Sequence, residues 1–66
     1  MMNEPNYWMT PEERANKLMD DNPIERAESI ASQYRLFWTC QQHPRPAMVA
    51  YWETVHKIVR RCMPLR

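Results

Sequence analysis

A chain with no glycine and six prolines must make every turn without the residue that most readily adopts positive φ. This disfavours tight hairpins and glycine-rich phosphate loops together, and it favours helices punctuated by proline. Two helix starts share one pattern. Thr10-Pro11-Glu12-Glu13 offers a capping hydroxyl, proline in the first turn and a glutamate able to reach back to the cap. Asn22-Pro23-Ile24-Glu25 repeats it with asparagine in the capping position. Pro23 therefore separates a helix over 11–20 from one over 23–41. His43-Pro44-Arg45-Pro46 ends the second helix, and Pro46 suits the first turn of a third, over 46–62. No period-2 alternation occurs, so the expected fold class is all-α. Residues 1–9 read as an N-terminal tail, and 10–63 as a single helical domain.

Sixty-six residues allow one domain with a thin core, and chains of this size often need a staple or a partner subunit. Two cysteines are weak support for an oxidising compartment. No secretory signal and no apolar run near the ~20 residues needed to span a bilayer are visible. The expected location is cytoplasmic, without membrane association. The net charge of +1 hides an asymmetry: residues 1–33 carry net −4 and residues 34–66 net +5, an acidic half and a basic half.

The two longer helices are one-sided. At about 100° per residue, Ile24, Ala27, Ile30, Ala31, Tyr34, Phe37 and Trp38 share an arc of roughly 140°. On the third helix Met48, Tyr51, Trp52, Val55, Ile58, Val59 and Cys62 share one of about 120°, with Glu53, His56, Lys57, Arg60 and Arg61 facing away. A short connection makes each helix the natural cover for the other, in an antiparallel hairpin. The first helix adds Ala15, Leu18 and Met19. Three tryptophans and three tyrosines are many for so thin a core, and Leu36, Val49 and Met63 stay off or at the edge of the stripes. The expectation is a bundle completed by a homodimer or by another partner.

Helix geometry separates the residues that could carry chemistry. Cys40-x2-His43 and His56-x5-Cys62 imitate zinc-finger spacing, but four ligands must converge within about 2.0–2.3 Å of one point. His56 and Cys62 stand roughly 9 Å apart along a helix, and the turn lies about 15 Å from His56. Cys40 and Cys62 fall at opposite ends of the hairpin, over ~20 Å apart, which excludes an intramolecular disulfide. Cys62 reads as a small core residue and both histidines as solvated. Neither histidine has a nucleophile at helical spacing, and a bundle this small leaves little room for a substrate cleft. The expectation is no enzyme activity, cofactor or metal.

The segment Thr10-Pro11-Glu12-Glu13-Arg14-Ala15, followed by Leu18, and the later Tyr51-Trp52-Glu53-x-Val55 together resemble a pattern in short uncharacterised helical accessory proteins of bacteriophages and prophages. There an E-R-A-x-x-L helix precedes one or two more, ending in Y-W-x-x-V. The resemblance spans most of residues 10–59, and the chain departs from it between residues 36 and 47. It implies an accessory protein that binds a bacterial host or defence protein, in the host cytoplasm. The functional expectation is therefore a protein-binding module, an inhibitor or modulator acting by steric occlusion. Its contact candidates are exposed or off-stripe residues of interface-prone type: Tyr7, Trp8, Leu36, His43, Arg45 and Arg60. The alternative is a small nucleic-acid-binding or transcription-modulating protein using Arg45, Lys57, Arg60 and Arg61 against phosphates.

Overall fold

The computed structural model describes residues 9–64. It is all-α: α1 is Pro11–Asp21, α2 is Ile24–Thr39 and α3 is Pro46–Arg61, each within two residues of the span expected from the sequence. No strand occurs among the described residues.

α1 begins as its first four residues dictate. The Glu13 amide donates to Thr10 Oγ1 (3.1 Å) and the Thr10 amide donates to Glu13 Oε1 (2.9 Å), a complete capping box with Pro11 in the first turn. Two otherwise orphaned donors are satisfied reciprocally. Thr10→Ala removes the acceptor and is expected to cost about 1 kcal/mol. A thermal melt followed by circular dichroism measures it, and Thr10→Ser should recover most of the loss.

The second start departs from the expected pattern. Asn22 does not cap α2; Pro23 occupies that place, with no side-chain hydrogen bond. Asn22 instead donates its amide to the Leu18 carbonyl at 3.1 Å and so closes α1. Its backbone is extended (φ −142°, ψ 153°), as a residue before proline prefers. With α1 ending one residue later than expected, Asn22 lies nearer to the orphaned carbonyls behind it than to the amides ahead.

Without glycine, the helix ends are closed by side chains and tightened turns. At the end of α2, Thr39 Oγ1 donates to the Arg35 carbonyl (2.8 Å), Gln41 Nε2 to that of Phe37 (2.7 Å) and the Cys40 amide to that of Leu36 (2.9 Å). At the end of α3 the Cys62 amide reaches the Val59 carbonyl (3.0 Å) and the Met63 amide that of Arg60 (3.1 Å). Orphan carbonyls are thus satisfied with no left-handed residue, and no described residue has positive φ. Pro46 opens α3, where the Met48 and Val49 amides both reach the Arg45 carbonyl at 3.0 Å.

α3 is the central helix. It packs on both α2 and α1, which touch each other little. The buried core is Ala15 from α1, Ala27 and Ala31 from α2, and Met48, Trp52, Val55 and Val59 from α3. Leu18, Met19, Ile24, Trp38, Tyr51 and Ile58 pack around it. The division of sizes is physical: α3 supplies the bulk, and alanines on the other two helices let them approach it closely. Glu28 meets His56 and Tyr34 meets Trp52, so positions rise along α2 as they fall along α3, and the pair is antiparallel as expected. Tyr51 fixes the entry to α1: its hydroxyl donates to the Met9 carbonyl at 2.9 Å and lies 3.5 Å from Arg14 Nε.

Candidate interaction surface

α2 carries more apolar surface than α3 can cover. Tyr34, Leu36 and Phe37 are 48%, 49% and 56% exposed. Tyr34 and Phe37 belong to the apolar arc that the sequence assigns to the hairpin core, and the structure corrects that assignment. The contact with α3 is centred on Ala27 and Ala31. At about 100° per residue this leaves Tyr34, Ile30 and Phe37 about 40°, 80° and 100° to one side of it, and Leu36 well round on the opposite flank.

The exposed rings are nevertheless held in place. Tyr34 stacks on the buried Trp52 with centroids 4.6 Å apart and planes 17° from parallel. Phe37 meets Trp38 edge-on at 5.3 Å, and Trp52 also takes the edge of Tyr51 at 5.5 Å, with the Arg14 guanidinium 6.0 Å from its ring. Aromatic contacts of this kind add about 0.5–1.5 kcal/mol each beyond area burial. The outer ring of the stack is therefore a rigid platform with one side open to solvent. The Trp52 indole N–H is buried and has no acceptor among the described residues.

The other flank of the α2–α3 contact is polar. His56 Nε2 lies 2.7 Å from Glu28 Oε2, with both side chains largely covered, and Arg60 Nη1 is 3.9 Å from the same oxygen. His56 and Glu28, expected on solvated faces, are thus a cross-helix pair. An open groove beside them is lined by Arg35, Glu53, Thr54, Lys57 and Arg60. Arg35 Nε is buried there without an acceptor among the described residues.

The candidates read from the sequence do not form one surface. Tyr7 and Trp8 lie outside the described residues. Leu36 stands in the last turn of α2 and His43 and Arg45 in the link after it, all exposed. Arg60 lies at the far end of α3, about 22 Å from Arg45 along the helix. The phosphate-binding set divides the same way: Lys57 and Arg60 share the groove, while Arg45 is some 18 Å from Lys57 along α3. Arg61 is exposed one turn beyond Lys57. Cys62, expected in the core, is exposed, as is Cys40, and both are free thiols. α3 ends at Arg61, so its stripe periodicity does not carry Cys62 inward.

Tyr34 and Phe37 are the surface residues that the sequence reading missed. Their signal was the width and composition of the arc. Ala27 and Ala31 lie on either side of Trp38, while Tyr34, Ile30 and Phe37 run out to one edge, and small residues mark where helices approach closely. No group of three His, Cys, Asp or Glu side chains converges among the described residues, and none of their helices is long and apolar enough to cross a membrane. No family model, curated protein or solved structure matches the chain.

Proposed function

We propose that this chain is a protein-docking module without catalytic activity, acting by covering a surface of its partner. The observation that carries the reading is the exposure of three large apolar side chains on one helix, Tyr34 and Phe37 on one flank of α2 and Leu36 on the other. Large apolar side chains held rigid at a surface are the usual anchors of protein interfaces, because little conformational entropy is lost on binding. The likeness to phage accessory proteins around Glu13-Arg14-Ala15 and Tyr51-Trp52 supports a bacterial host or defence protein as the target, and occlusion as the mode of inhibition.

The test is quantitative binding to a captured host protein by wild type and by Leu36→Glu. The variant is expected to bind about 30-fold more weakly or worse, as loss of a hot-spot side chain does. Its melting behaviour should stay within about 0.5 kcal/mol of wild type, because the position is exposed. Undiminished binding by Phe37→Glu and by Leu36→Glu would remove the reading.

The alternative, binding of nucleic acid, draws on the groove lined by Arg35, Lys57 and Arg60. Glu53 in the same groove and Glu28 beside Arg60 offset part of that charge. Lys57→Gln with Arg60→Gln would abolish binding in this case and only perturb the docking reading. Steep weakening with salt would accompany it.

A further inference from the structure

The exposed stripe on α2 has a symmetry of its own. Half-buried Ile30 and exposed Gln33, Tyr34 and Phe37 lie within about 100° of arc, and their spacing is the same read in either direction. A two-fold axis between Gln33 and Tyr34 therefore maps the stripe onto itself. It sets Ile30 of one copy against Phe37 of the other, and it brings like residues at 33 and 34 side by side across the axis. Self-complementarity of this kind is what an isologous helix pair requires.

We infer that the Ile30–Tyr34–Phe37 stripe is the contact face of a homodimer in which α2 pairs antiparallel with α2 of a second copy. This rests on the docking reading and names the occupant of one part of that surface. Charge fits the same arrangement. The last turn of α2 has no basic residue to complement its negative end, while Arg26 is exposed near its start. Antiparallel pairing places each Arg26 beside the carbonyl end of the other α2, where a cation is favoured. In a parallel pair Arg26 would face Arg26. Leu36 lies on the opposite flank, so the dimer leaves it open on both copies for a different protein.

The overlap from Arg26 to the end of α2 is about 20–24 Å long. A two-helix contact of that length is small beside the ~1,200 Å² at which stable interfaces begin, so a weak dimer with dissociation on the order of micromolar is expected.

The experiment uses the full chain with Cys40→Ser and Cys62→Ser. Gln33→Cys puts two thiols beside the axis, within reach of a disulfide for helices about 8–10 Å apart. Ser29→Cys, equally exposed, puts them about 14 Å apart along the helices. Mild oxidation is expected to yield a covalent dimer at position 33 and not at 29. Sedimentation equilibrium is expected to show a monomer–dimer equilibrium whose dissociation constant rises about 100-fold or more in Phe37→Glu, since that side chain enters the interface twice. Equal cross-linking at 29 and 33, or a monomer at every concentration, overturns the dimer. A monomer whose capture of a host protein still depends on Leu36 overturns the dimer alone. A monomer that captures nothing overturns the docking reading as well.

Discussion

Trp52→Ala is expected to leave the chain largely unfolded at about 25 °C, with loss of most helical circular dichroism. Trp52 is 3% exposed and joins all three helices: its ring is stacked on Tyr34 of α2, meets Tyr51 of α3 edge-on and approaches Arg14 of α1. Truncating a buried tryptophan costs about 3–5 kcal/mol through lost transfer energy and the cavity left behind. Total stability, at roughly 0.05–0.15 kcal/mol per residue, is about 3–10 kcal/mol for a chain of this length. The loss is thus comparable with the whole. Trp52→Phe separates packing from the indole N–H. It keeps a ring for Tyr34 to lie on and removes the buried donor, so it is expected to fold with a loss nearer 1–2 kcal/mol. Equal losses in the two variants would show that ring stacking does not hold the helices together.

Ala31→Leu should be the second most damaging of the substitutions considered, although it adds apolar volume. Ala31 and Ala27 are completely buried where α2 meets α3, and their methyl groups set how closely the helix axes approach. A leucine there must push α2 outward or take a strained rotamer, at about 1–3 kcal/mol. Ala50→Leu, on an exposed stretch of the same hairpin, should change stability by less than about 0.5 kcal/mol. Urea titration of the two variants checks this. The midpoint should fall for Ala31→Leu with an unchanged slope, because packing alters while the surface exposed on unfolding does not.

These alanines also explain what the sequence could and could not disclose. Helix number and boundaries were legible because they are local: Pro11, Pro23 and Pro46 each constrain one or two backbone angles, and Thr10 and Glu13 cap within one turn. The central place of α3 was partly legible, since Met48, Trp52, Val55 and Val59 form a regular stripe of large residues. The side of α2 that meets it was not. Ile24 to Trp38 span an arc wider than one neighbouring helix covers, and periodicity alone cannot tell which edge is buried. The core side turned out to be the one carrying Ala27 and Ala31 with Ile24 and Trp38 beside them, leaving Tyr34 and Phe37 about half exposed. The pairing of His56 with Glu28 was hidden for a related reason. It depends on the register between α2 and α3, and each helix read singly places both residues on a solvated face. Asn22 shows that a local signal can also point two ways: its amide serves the carbonyl of Leu18 behind it as readily as its oxygen serves an amide ahead.

The surface proposed to act is therefore a consequence of the core. Alanines turned toward α3 make the hairpin tight, and the same choice turns Ile30, Tyr34 and Phe37 toward whatever covers them. Amide NMR spectra recorded while the protein is concentrated from about 10 μM to about 1 mM, across the micromolar range expected for a contact of this size, test this most directly. Concentration-dependent shifts gathered at Arg26, Ile30, Gln33, Tyr34, Phe37 and Gln41 are the predicted result. A spectrum that does not change, or shifts gathered at Lys57, Arg60 and Arg61 instead, would contradict it.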